Sequence, residues 1–162
     1  MERLKIIFLD IDGVLNHTLF YINMEKLEKS GVEIDITKYG NIDKEQIRLL
    51  NELCDETGAK VVISSTWRLD GLEENRAGFK SIGATFDIID ITGHCCSGIR
   101  GAEIHNWLFH AKQPIDNYAI LDDDNDMLLN QATHFFQVSG YAGLTENHCY
   151  RIKNLFNGKE SY

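Results

Sequence analysis

Apolar residues fall along the chain in short runs, with helical spacings between most of them. The first run, Leu4-Lys5-Ile6-Ile7-Phe8-Leu9, is nearly continuous. That is the pattern of a strand covered on both faces, as in a parallel sheet. It ends in Asp10-Ile11-Asp12-Gly13. Further short runs lie at Val61-Val62-Ile63, Phe86 to Ile89, Tyr118 to Leu121 and His134 to Val138. Their alternation with helical patterns predicts an α/β sandwich.

The helical segments carry start and stop signals. Asp43 is placed to cap a helix through about Thr57, with Ile47, Leu50 and Cys54 on one face and Gly58 just beyond its end. Thr145 does the same for a last helix whose stripe is Cys149, Ile152, Leu155 and Phe156, closed by Gly158. A third helix is predicted from about Arg100 to Ala111, with Ile104, Trp107, Leu108 and Ala111 facing inward and an ordinary exposed face. Thr18 to Lys29 has a helical pattern, and the glycines and β-branched residues after it make residues 16–41 a small insert beside the first loop.

Composition narrows this picture. A chain of 162 residues with a single proline and no repeat reads as one domain over 1–162. At that length a hydrophobic core suffices without staples. The four cysteines, Cys54, Cys95, Cys96 and Cys149, have no Cys-x-x-Cys spacing and are expected to be reduced. No run is long enough to cross a bilayer and no signal-peptide pattern opens the chain, so a cytoplasmic protein without a membrane partner is expected. With 16 Lys+Arg against 25 Asp+Glu the net charge is −9, which argues against non-specific nucleic-acid binding.

Charge is also where the chemistry gathers. Asp10 and Asp12 follow one buried strand, and Asp122-Asp123-Asp124-Asn125-Asp126 follows another. Ligands of open α/β sheets bind beyond the carboxyl ends of the strands, so the two clusters can face one crevice. Asp is common in turns, and either cluster alone reads as one. Together they are carboxylates that would repel, and a hard divalent cation, Mg²⁺ above all, relieves that repulsion. A third strand ends in Ser64-Ser65-Thr66, whose hydroxyls and N–H groups suit a phosphate oxygen.

Asp10-Ile11-Asp12-Gly13-Val14, then Ser64, then Asp122-Asp123 with Asp126, resemble the ordered motifs of the haloacid dehalogenase-like (HAD) superfamily over essentially the whole chain. Ile63-Ser64-Ser65-Thr66-Trp67-Arg68 resembles a small HAD branch, some of whose members occur in RNA-repair proteins. The resemblance implies a three-layer Rossmann-like fold with sheet order 3-2-1-4-5 and, given the short insert, a minimal cap or none. It implies a Mg²⁺-dependent phosphatase with Asp10 as nucleophile and Asp12 as general acid and base. Asp10, the Asp12 carbonyl and Asp122 would hold the metal, with Asp123 or Asp126 in support. Ser64 and Ser65 would bind phosphate, beside a cation for which Arg100 is preferred on position, Lys112 is the alternative and Lys80 a distant third.

The substrate would be a nucleotide, a sugar phosphate or a phosphorylated nucleic-acid end. Trp67 would stack on a base or sugar if it is not simply packing, and Arg68 would reach a second phosphate or the leaving group. His17 either touches substrate or caps the insert. His94-Cys95-Cys96 and His148-Cys149 lack zinc-site spacing. Two non-enzymatic readings use the same residues. One is a receiver-like phosphoacceptor switch, which would need a different order of its acidic residues. The other is a degenerate HAD domain that only binds a phosphorylated partner, although both motif aspartates are present.

Overall fold

The computed structural model describes residues 3–159. Five parallel strands form one sheet in the order β3-β2-β1-β4-β5, where β1 is Leu4–Leu9, β2 Lys60–Ile63, β3 Ile88–Ile91, β4 Ile115–Asp122 and β5 Phe135–Gln137. The helices are α1 (Thr18–Lys29), α2 (Lys44–Thr57), α3 (Leu72–Ser81), α4 (Arg100–Phe109) and α5 (Glu146–Phe156).

β1 is central because both its faces are apolar. Ile7 and Leu9 join the larger core, where Leu50 and Leu53 of α2, Phe79 of α3 and Ile152 of α5 pack. Ile6 and Phe8 face the other way, onto Ile104 and Trp107 of α4, with Phe8 and Trp107 edge-to-face at 5.3 Å. The alternation of side chains along the strand thus sends successive residues into opposite layers.

Local signals set the helix limits. The Asp43 side chain accepts the Glu45 N–H at 2.9 Å, and Gly58 closes α2 in the left-handed region at φ 70°. Thr145 caps α5 through a reciprocal pair with His148. Two expected limits move. The third strand lies at Ile88–Ile91 rather than from Phe86, whose ring is buried just before it. α4 ends at Phe109, short of Ala111. Within the insert, α1 has no buried residue, and its Leu19, Tyr21 and Ile22 are exposed. No helix among the described residues is long and apolar enough to cross a membrane.

Candidate active site

The sheet's own hydrogen bonds carry the chemistry-bearing residues to one edge. Leu9 is in register with Ile63 and with Leu121. One step further, the Asp10 N–H donates to the Leu121 carbonyl at 2.9 Å and the Ser64 N–H to the Leu9 carbonyl at 3.0 Å. The Val138 N–H donates to the Asp122 carbonyl at 2.9 Å. Asp10, Ser64 and Asp122 are therefore held by the last rungs of the ladder, and all three are buried.

The turn after β1 is shaped by what it buries. Ile11, Val14 and Leu15 drop into the core, which leaves Asp10 at the floor and Asp12 exposed at the rim. Gly13 sits at φ 83°, and a Cβ there would collide with the Asp123 carboxylate. A Cβ on Gly140 would stand 3.1 Å from the same carboxylate. The two glycines thus leave the gap that Asp123 fills, and their bare backbones are required by this approach.

One oxygen each from Asp10, Asp122 and Asp123 lies within 4.8 Å of the others. Burial, followed by the charge of Asp122, pushes the Asp10 carboxyl well above the usual carboxylate range, against the pull of Arg100 and of hydrogen bonds from Ile11 and Ser65. Asp122 is pushed up chiefly by its own burial, while the Asp124 N–H and Arg100 pull it down. Such a group of carboxylates is costly unless a cation joins it.

Three buried polar atoms around this cluster have no hydrogen-bond partner among the described residues: Asp122 Oδ2, Ser64 Oγ and Arg100 Nη1. An unsatisfied acceptor beside two further carboxylates fits a hard divalent cation, and an unsatisfied hydroxyl and guanidinium N–H fit anionic oxygen. The donor set therefore suits Mg²⁺ and a phosphoryl group together.

Arg100 enters from the first turn of α4, with Nε 3.4 Å from Asp122 Oδ2. Glu103, one turn on, is 1% exposed and lies 3.7 Å from Arg100 Nη1 through Oε2. Lys112 lies elsewhere. It lines a cleft with Leu4, Lys60 and Ile115, the first residues of β1, β2 and β4, at the opposite end of the sheet. Lys80 lines another cleft, with Asp87 and Ile88 at the start of β3.

Several expected contacts take a different form. The Asp126 carboxylate lies outside the acidic triad and accepts the Arg100 N–H at 2.9 Å, at the start of α4. Arg68 is turned inward. Its two terminal nitrogens grip Glu103 at 3.0 Å and one of them also donates to the Ser64 carbonyl at 3.0 Å, which ties the end of β2 to α4. Trp67 is 8% exposed and packs against Tyr39 and Phe79, so its faces are not open to a base or sugar. Its indole N–H donates to Asp12 Oδ2 at 3.1 Å. The Ser65 Oγ accepts the Trp67 N–H at 3.3 Å and also hydrogen-bonds Asp10. His17 Nδ1 accepts the Phe20 N–H and so caps α1.

Cys54 and Cys149 are buried, and burial pushes their thiols up to about 12 and about 11. His148 Nδ1 is engaged by Thr145. The side chain of Cys96 lies outside the described residues.

Sequence reasoning missed Asn16 and Glu103. Asn16 Nδ2 donates to Asp12 Oδ1 at 2.8 Å, and Asn16 Oδ1 accepts the Gly13 N–H at 2.9 Å. Its place four residues beyond Asp12 in a tight turn was a readable signal for such a bond. Glu103 gave no signal beyond its spacing of three from Arg100.

A sequence model of the HAD domain in Swiss Army Knife RNA repair proteins matches residues 6–149. No curated protein and no solved structure matches the chain.

Proposed function

The chain belongs to this family of HAD domains, and from that premise we propose that it is a Mg²⁺-dependent phosphomonoesterase that works through an aspartyl-phosphate on Asp10. The family is one of phosphatases and other hydrolases. The observation that carries the reading is the triad of Asp10, Asp122 and Asp123 ringed by the unpartnered Ser64 Oγ and Arg100 Nη1.

In the proposed reaction an Asp10 oxygen attacks phosphorus, the bond from phosphorus to the leaving oxygen breaks, and that oxygen takes a proton from Asp12. Water then attacks the phosphorus of the aspartyl-phosphate and gives a proton to Asp12. The bond from phosphorus to the Asp10 oxygen breaks, and inorganic phosphate leaves. One displacement is divided into two easier ones, each served by a positioned acid or base. Mg²⁺, held by Asp10, Asp122, Asp123 and the Asp12 carbonyl, would offset the repulsion between nucleophile and phosphate. Arg100 and Ser64 bind and orient the phosphoryl oxygens, and Glu103 aims Arg100 at them.

The substrate is a phosphate monoester on a bulky leaving group: a nucleotide, a sugar phosphate or, in keeping with the family's description, the phosphorylated end of a nucleic acid. The short insert supports an open mouth, since residues between β1 and α2 contribute only α1 and a short turn at Tyr39–Asn41. The net charge of −9 weighs against long-range attraction of a polynucleotide, so an end group rather than a duplex tract is the favoured ligand.

The test is hydrolysis of an aryl phosphate with and without Mg²⁺, by the wild type and Asp12→Asn, followed by a panel of nucleotides, sugar phosphates and end-phosphorylated oligonucleotides. Mg²⁺-dependent turnover that Asp12→Asn loses is the expected result. A lasting acyl-phosphate after acetyl phosphate treatment, with no turnover on the panel, would point instead to a phosphoacceptor switch.

A further inference from the structure

The geometry points to Trp67 as a positioning residue for Asp12, an inference that rests on the acid–base role given to Asp12 above. Asp12 is exposed, and an exposed Asp side chain on a turn ordinarily samples several rotamers. Here both carboxylate oxygens are held. Asn16 Nδ2, from the same turn, donates to Oδ1 at 2.8 Å, and Trp67 Nε1, from the turn after β2, donates to Oδ2 at 3.1 Å. Two donors on separate segments fix the plane of the carboxyl as well as its place.

Trp67 can act as a fixed point because its ring is clamped. Tyr39 meets it edge-to-face at 5.4 Å, Phe79 lies 6.1 Å away, and the Lys38 ammonium stands 4.3 Å over its face, itself paired with Asp70. Its carbonyl accepts the Asn75 side chain at 2.9 Å. Lys38 and Tyr39 belong to the insert, so the insert braces the acid–base group through the indole. The indole N–H only donates, so it orients Asp12 without competing for the proton that Asp12 transfers.

Proton delivery depends on that orientation only when the leaving oxygen needs the proton. Trp67→Phe keeps an aromatic ring in the clamp and removes the donor. We expect kcat/KM for an alkyl phosphate to fall about tenfold, whereas kcat/KM for 4-nitrophenyl phosphate, whose leaving group departs unprotonated, changes less than about twofold. Equal losses on the two substrates would mean that the ring is merely structural and would overturn the inference. No turnover by the wild type on either substrate would sink the phosphatase reading itself.

A second measurement needs neither metal nor turnover and reads the contact directly. Trp67 and Trp107 are the chain's two tryptophans and give two indole N–H signals in a ¹H–¹⁵N spectrum of the metal-free protein. Asp12→Asn should displace the signal that remains in Trp107→Phe and leave the other in place. If neither signal moves, the hydrogen bond is absent and Trp67 does not position Asp12. This arm stands even if Trp67→Phe proves too unstable to assay.

Discussion

The two ends of the sheet differ in a way that cavity size does not report. At the amino ends of the strands lies a cleft of about 640 Å³, lined by Leu4, Lys60, Trp107, Lys112 and Ile115 among others. Two of its polar groups are paired: the Trp107 N–H donates to Asp90 at 2.8 Å, and Lys60 pairs with Asp87 at 3.1 Å. At the carboxyl ends of β1, β2 and β4, buried carboxylates crowd together and a hydroxyl, a carboxylate oxygen and a guanidinium nitrogen lack hydrogen-bond partners among the described residues. Such unmet bonds cost stability, and a ligand that meets them recovers it. Unsatisfied buried groups gathered around one carboxylate cluster, rather than volume, distinguish the candidate site.

The largest expected effect falls at the floor of that end. Asp10→Asn should lower turnover by at least about 10⁴-fold, because an amide does not accept the phosphoryl group. Without metal, the same variant should melt a few degrees above the wild type near neutral pH, since a neutral amide is spared the proton uptake that burial beside Asp122 imposes on the Asp10 carboxyl (about 2–4 °C per kcal/mol in a domain of this size). Turnover retained, or a fall in melting temperature, would break the contrast between the two ends.

Next comes the cation. Arg100→Ala should cost about 10²- to 10³-fold in kcat/KM, while Lys112→Ala, in the cleft away from the acidic cluster, should stay within about twofold. The reverse order would reassign the phosphate cation to Lys112. Glu103→Gln should fall between these, at about tenfold, and mainly in kcat/KM for substrates that rely on Arg100.

The smallest effect is thermodynamic. Asp10 and Asp122 have folded-state pKa values above their unfolded ones, so the fold binds more protons than the unfolded chain over that interval. Their contribution is fully present below the unfolded value of 3.8 and is lost as pH rises through the folded values. Relative to Asp10→Asn, metal-free wild type should therefore lose melting temperature from acid toward neutral pH. The gain from added Mg²⁺ should be larger near neutrality than in acid. A gain independent of pH would show that the metal does not sit among these carboxylates.

Legibility in the sequence followed the range of the interactions. The limits of α2 at Asp43 and Gly58, the Thr145 cap and the sheet order all rest on local chemistry or on motif order, and each was readable. Side-chain commitments across elements were not. Glu103 occupies a polar position in a helical pattern, and periodicity assigns such residues to solvent. Arg68, 35 positions upstream, together with Arg100, His94 and the Cys95 N–H, makes its burial tolerable. Trp67 follows a strand end in a way that suits a stacking platform, but Tyr39 and Lys38 from the insert close over its faces. Asp126 shares an acidic run with Asp122 and Asp123, yet α4 arrives beside it and takes its carboxylate as a helix-end acceptor.

The final rungs of the ladder have a bearing on how the protein fails. Because the N–H of Asp10 is bonded to Leu121 and that of Ser64 to Leu9, these amides can exchange with solvent only when the centre of the sheet parts. Local opening at the rim, around Asp12 or α1, leaves them shut. The amides of Asp10 and Ser64 would thus rank with those of Ile7 and Phe8 among the slowest to take up deuterium, and in a urea titration turnover would fail first at the rim, where Asp12 sits, before the floor opens.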